Sequence, residues 1–176
     1  MVKLMKFVVL TAVLCCFLPT TVTATSGDWG EIERCPEGEV AFGFSLKIQQ
    51  EEEDGAVTGI SLRCTERVWI YSAQGSTGKW GRQFMCPGMG SLRASKLRVK
   101  TKEEGDVTVV TNVSVFCYPN YDQDSEMRGH GFIFGDWKAM ELCEYGIIGL
   151  QTLVSNNAVS NVKFICSGWR PNWWDR

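Results

Sequence analysis

The sequence predicts an all-β fold of three antiparallel sheets around a pseudo-threefold axis, and three observations lead there. The first is a repeat: Gly27-Asp28-Trp29, Gly78-Lys79-Trp80 and Gly135-Asp136-Trp137 are each followed, six residues after the tryptophan, by a cysteine, namely Cys35, Cys86 and Cys143. The second is how each copy ends. Ile60 to Cys64, Val113 to Cys117 and Val162 to Cys166 all alternate with the period of two that marks a half-buried strand. The third is an absence: no window of a dozen residues beyond the amino-terminal stretch sustains a helical period, and glycines break the chain into strand-length pieces.

Together these give three copies of one β unit, at about 27–69, 78–117 and 135–166, with a period of roughly 50 to 57 residues. A unit of that size cannot bury its own apolar face. Three of them cover one another by leaning together as the walls of a triangular prism. A β-sandwich is the alternative, but two layers offer no natural place for three equal units.

In chain order, Lys3 and Lys6, the apolar run Phe7 to Leu18 and the small-residue pattern Val22-Thr23-Ala24 read as a secretory signal peptide over residues 1–24. No other stretch is apolar for the length a transmembrane helix needs. Residues 25–176 then form a single domain. Its first unit holds the alternating strand Phe42 to Ile48, the acidic loop Glu51 to Asp54, and the returning strand to Cys64. A linker from Glu66 to Thr77 carries a further strand, Val68-Trp69-Ile70-Tyr71. The second unit pairs Leu97 to Lys100 with Val113 to Cys117, and the third pairs Gly149 to Val154 with Val162 to Cys166. Between them, Tyr118 to Arg128 is polar and turn-rich around Pro119 and Asn120.

Removing Lys3 and Lys6 leaves 16 basic against 20 acidic residues, a net charge of −4. That balance, with no Lys/Arg cluster along the chain, argues against a nucleic-acid partner. Cys15 and Cys16 leave with the signal. The even remainder in a secreted chain reads as a disulfide framework. Either each copy closes on itself or each last cysteine reaches the next copy. Antiparallel return within a copy brings its two cysteines together, so Cys35–Cys64, Cys86–Cys117 and Cys143–Cys166 are the expected pairs. Each is worth about 3.5 kcal/mol in the chain-entropy account. Without a Cys-x-x-Cys pair, and with His130 the only histidine, no metal site is expected.

Six motifs in order, Gly27-Asp28-Trp29-Gly30, Cys35-Pro36-Glu37-Gly38, Gly43-Phe44-Ser45-Leu46-Lys47-Ile48, Gly59-Ile60-Ser61-Leu62-Arg63-Cys64, Gly129-His130-Gly131 and Gly149-Leu150-Gln151-Thr152, resemble the vitelline membrane outer layer protein 1 family. The resemblance covers nearly the whole mature chain. It implies a secreted, disulfide-bonded β-prism of three four-stranded, Greek-key-like sheets, an architecture shared with jacalin-type lectins; in the avian egg, proteins of this family are a component of the outer vitelline layer. The chain departs from the family in its acidic turns: Glu53-Asp54-Gly55-Ala56 and Gly105-Asp106-Val107-Thr108 keep carboxylates, whereas Ser155-Asn156-Asn157-Ala158 has none. Arg93 and Ser95 also stand where the first copy has Phe42 and Phe44.

For chemistry, nothing near His130 reads as a nucleophile elbow or a catalytic dyad. A glycosidase needs two carboxylates flanking a cleft, and Asp28, Asp136 and Glu31 are the residues that would serve. The family's link to transfer on N-acetyl amino-sugar oligosaccharides makes such an enzyme the alternative function. Trp29, Trp80 and Trp137 are expected at buried joints between sheets. Trp169, Trp173 and Trp174, with Arg170 and Arg176, either close the first sheet as a strand or form an exposed ligand platform. Asn112-Val113-Ser114 is a glycosylation sequon at Asn112. The function expected is that of a non-catalytic, monomeric structural or binding protein of an extracellular coat or fluid, needing no cofactor, with glycans or coat glycoproteins as partners.

Overall fold

The computed structural model of the chain describes residues 27–50, 55–64, 67–101, 108–118 and 125–169. The expected signal peptide, Asp54, Asp106, Trp173 and Trp174 lie outside these residues. The described chain is all-β, with one 3-10 turn at Pro87–Met89. Its strands are β1 (Asp28–Trp29), β2 (Glu33–Arg34), β3 (Gly43–Gln49), β4 (Ala56–Arg63), β5 (Trp69–Tyr71), β6 (Lys79–Met85), β7 (Leu92–Thr101), β8 (Thr108–Cys117), β9 (Glu126–Arg128), β10 (Asp136–Trp137), β11 (Glu141–Leu142), β12 (Ile147–Ser155) and β13 (Ala158–Cys166).

Three antiparallel sheets result. Sheet 1 runs β6-β3-β4-β5, sheet 2 runs β10-β7-β8-β9 with β11 also on β7, and sheet 3 runs β1-β12-β13 with β2 also on β12. In sheets 1 and 2 three consecutive strands are joined by a fourth that returns beside the first, which is Greek-key order. The fold is a β-prism.

Repeats and sheets are out of phase by one strand. Each Gly-x-Trp segment pairs not with its own copy but with the sheet of the copy before: β6 joins β3 in sheet 1, and β10 joins β7 in sheet 2. The amino-terminal β1 takes the same place in sheet 3, with Asp28 opposite Val154 and Trp29 opposite Leu153. The first segment of the fold therefore closes the last sheet. Among the described residues, the edge strands of sheet 1 are β5 and β6, and no segment from the carboxy-terminal end joins them.

That offset changes what the disulfides do. Cys35–Cys64, Cys86–Cys117 and Cys143–Cys166 are bonded, with Cα atoms 5.5, 5.6 and 5.0 Å apart. Each joins the end of a donated strand to the end of a hairpin strand in the next sheet, so a bridge local in sequence is a staple between walls. Cys35 bonds through its N–H to Ile148 in sheet 3, Cys86 to Phe42 in sheet 1, and Cys143 to Arg93 in sheet 2.

One hydrophobic cluster takes residues from all three walls: Phe44, Leu46, Ile60 and Leu62 from sheet 1, Val110, Val113 and Val115 from sheet 2, and Ile147, Leu150, Val159 and Val162 from sheet 3. Each such side chain contributes about 1.5–3 kcal/mol by leaving water. Sheet 3 also brings a polar group inward: Thr152 is buried there, its hydroxyl donating to the Ala73 carbonyl at 2.6 Å. Cys166 is exposed, whereas Cys64 and Cys117 are buried. Arg93, at a β-bulge, is buried over the Tyr118 ring, and Leu92 and Leu97 supply the apolar contacts.

The carboxylate-free turn has a structural reason. Asn156 and Asn157 take φ of 48° and 66° to close the β12–β13 hairpin, a conformation Asn tolerates. The Asn157 side chain then clasps sheet 3 to the end of sheet 1. Its Oδ1 accepts from the Ser76 hydroxyl at 3.0 Å, and its Nδ2 donates to Gln49 and to Thr77. A carboxylate at this place has no N–H to donate.

Candidate functional site

Strand alternation decides what sheet 1 shows to solvent. Phe44, Leu46, Ile60, Leu62 and Ile70 point inward, so Lys47, Trp69 and Tyr71 reach the outer surface, while Ser45 and Ser61 lie on the same face but are covered. On β6, Gln83 lies opposite Ser45 and Trp80 opposite Lys47. Gly59 leaves the room this arrangement uses: a Cβ there would lie 2.9 Å from Gln74 and 3.5 Å from the Trp80 ring.

Trp80 and Tyr71 meet edge to face at 5.3 Å, with 37% and 47% of their surfaces exposed. Aromatic pairs of this kind usually sit in cores, and here solvent reaches both rings. Lys47 is held away from them, its ammonium donating to Gln74 Oε1 at 2.9 Å and the Gly75 carbonyl at 2.8 Å. Arg63 lies over Phe42 and Trp69 instead. A hollow of about 420 Å³ is lined by both aromatics with Ser45, Ser61, Trp69, Gln74 and Gln83. A second, of about 460 Å³, holds Gln49, Lys79 and His130. Trp80 and Gly81 line both, so the indole is their shared wall. Hollows of this size suit small ligands or a few sugar units.

His130 forms the floor of the second hollow. Its ring stacks on Phe84 at 6.2 Å between centroids and lies against Gly81, where a Cβ would come within 1.7 Å of Nε2. Burial pushes its pKa below the ordinary value, so the imidazole stays neutral at neutral pH.

The three repeated tryptophans do not occupy buried joints. They lie on outer faces, and their surroundings differ. Lys163 sits 4.0 Å above Trp29, and Arg98 and Arg128 lie 5.2 and 6.0 Å from Trp137. Trp80 has no cation over its ring among the described residues. Its exposed partner is Tyr71.

Asp28 lies on sheet 3, with Glu31 exposed on the link between β1 and β2 of the same sheet, whereas Asp136 lies on sheet 2. Neither hollow is lined by any of the three. Among the described residues no cluster suited to a metal ion occurs. Asn112 is not on an accessible turn: it is buried within β8, donating to the Phe132 carbonyl at 3.3 Å and accepting from the Val113 N–H at 2.8 Å. That burial leaves no room for a glycan in the folded protein. Trp169 is 40% exposed beyond sheet 3, turned back by hydrogen bonds to the Ser167 hydroxyl. Sequence reasoning overlooked Tyr71 and Gln83. The signal for Tyr71 was present, since Trp69 and Tyr71 share one face of a short strand.

A family model described as Vitelline membrane outer layer protein I (VOMI) matches residues 17–169. Vitelline membrane outer layer protein 1 homolog of Mus musculus is 33% identical over 161 residues, covering 81% of this chain and 78% of that protein. The Homo sapiens homolog is 32% identical over 161 residues, covering 80% and 77%. Among solved structures, that of a prostate-specific WGA16 glycoprotein lectin aligns with a TM-score of 0.59 over 80% of this chain and 90% of the lectin. At 11% identity that likeness is one of fold.

Proposed function

The chain belongs to the vitelline membrane outer layer protein I family, and from that premise we propose that it is a secreted, extracellular, non-catalytic protein that binds neutral glycans on sheet 1. The observation that carries this reading is the exposed Trp80–Tyr71 pair, bordered by the exposed amides of Gln74 and Gln83 and free of a covering cation among the described residues. A sugar ring has an apolar C–H face and a polar rim. An uncovered indole stacks the first, while amides and hydroxyls bond the second.

The solved neighbour of the same fold is a glycoprotein lectin, which supports carbohydrate as the ligand class for this prism. The dispersal of Asp28 and Asp136 over two sheets supports the absence of catalysis, because glycoside cleavage requires two carboxylates about 5–9.5 Å apart across one bond.

Titration calorimetry against a panel of neutral oligosaccharides, including N-acetylglucosamine oligomers, tests the reading. Trp80→Ala is expected to weaken binding at least tenfold without unfolding the protein. A panel with no binder, or a Trp80→Ala protein that binds as the wild type does, refutes it. Hydrolysis of any oligosaccharide in the panel refutes the non-catalytic part separately.

A further inference from the structure

Although the chain is acidic overall, its cations are not evenly spread. β7 carries Lys96 and Arg98 on the face opposite Leu97 and Val99, which join the core, and two residues along a strand place their side chains about 7 Å apart. Arg128 arrives on the same face from β9, across β8: it lies opposite Ser114, which lies opposite Lys96. Residues 32 positions apart in sequence thus form one group. Basic clustering, absent along the chain, is present on this wall.

The three cations are held by rings. Lys96 Nζ lies 4.9 Å from the Phe116 centroid, and the guanidiniums of Arg98 and Arg128 flank Trp137. Arg98 is further fixed by donating from Nε to the Gly135 carbonyl at 3.1 Å. The carboxylate paired with this group is Glu126, which is mostly covered and bonded to Arg128 at 3.0 Å. Burial raises its pKa, but the hydrogen bonds from Arg128 and Ser114 and the charges of Arg128 and Lys96 outweigh this, so it stays ionised. Among the described residues Glu126 is the carboxylate bonded to this group, Asp136 being exposed on β10 beside Trp137, and Arg128 is 65% exposed despite the ion pair.

We propose that the outer face of sheet 2 is a second binding surface, for a sulfated polysaccharide, separate from the sheet 1 site. It rests on the glycan reading above only in taking the polyanion to be a carbohydrate. Fixed cations on a flat wall match a linear array of sulfates. Single-stranded nucleic acid fits less well, since base stacking needs open aromatic faces and here Phe116 and Trp137 are engaged by cations.

The test uses the full-length secreted protein on immobilised heparin at several NaCl concentrations. Binding is expected, with affinity falling steeply as salt rises, because a polyanion releases condensed counterions when it is neutralised. Lys96→Gln/Arg98→Gln/Arg128→Gln should lose at least tenfold in affinity, and Arg128→Gln alone should lose less. Lys163→Gln, on sheet 3, and Trp80→Ala, on sheet 1, should bind heparin as the wild type does. Near-ultraviolet circular dichroism verifies the fold of each variant. The proposal is overturned by a wild type that ignores heparin, by a folded triple variant that keeps its affinity, by loss of heparin binding in Trp80→Ala, or by equal affinity for a single-stranded oligodeoxynucleotide of matched charge. A wild type that binds heparin but no neutral glycan would overturn the sheet 1 reading alone.

Discussion

Sheets 1 and 2 have the same strand order, and each receives a tryptophan from the strand donated by the following repeat. What stands over that tryptophan differs. On sheet 2 the residue opposite it is Arg98, whose guanidinium rests on the indole; on sheet 1 it is Lys47, tied back to Gln74 and Gly75. One ring is closed by charge and the other left open to stack. The repeat therefore keeps the wall and the anchor position while the cross-strand neighbour selects the chemistry.

The largest way to break this comparison is to cut the walls apart. Cys86→Ser/Cys117→Ser removes the bridge between sheets 1 and 2, which closes a separation of 31 residues. It should cost about 2–5 kcal/mol in urea unfolding. Mild reductant sharpens the point, because Cys166 is exposed: trapping of free thiols should find Cys143–Cys166 opened before the two bridges whose hairpin cysteines are buried.

Gly81→Val disturbs the contact of β6 with the β9–β10 connection. Its side chain meets the His130 ring, so it should destabilise by about 1–3 kcal/mol as an overpacked contact does. Neutral-glycan binding should weaken with it, and the heparin affinity of sheet 2 should persist.

Tyr71→Arg gives Trp80 the cation its counterparts have. A cation–aromatic contact is worth about 0.5–1 kcal/mol at exposed sites, so stability should hardly change. Neutral-glycan affinity should fall several-fold in calorimetry. Unchanged affinity would mean that the open indole face is not what distinguishes sheet 1.

The smallest effect is that of pH. Because burial lowers the His130 pKa, the unfolded chain takes up a proton as pH falls below about 6.5 while the folded chain resists it. Stability should therefore decline from neutral pH toward pH 5 and recover on return. In thermal melts across that range, His130→Gln should show a shallower decline than the wild type.

Much of the architecture was legible along the chain because it is written in local periods. Alternation marked the hairpin strands, and the recurring Trp and Cys spacings marked three units. The aromatic face was half legible, since Trp69 and Tyr71 share parity on β5, but Gln83 and Trp80 reach the same face only because β6 crosses to β3. Asn112 shows the limit from the other side. Its sequon is a local pattern, whereas its burial comes from Gly131 and Phe132 lying over β8.

By itself the sequence determined the all-β class, the threefold repeat and a pairing of cysteines within each repeat, since each follows from spacing over a few tens of residues. Tertiary structure alone decided that each repeat gives a strand to its neighbour, so that those same bridges join different walls. It also decided that Lys96, Arg98 and Arg128 form one surface while Asp28 and Asp136 do not. The physical reason is that hydrogen-bonded edges must find partners, and the partner that satisfies β3, β7 or β12 arrives from a distant part of the chain.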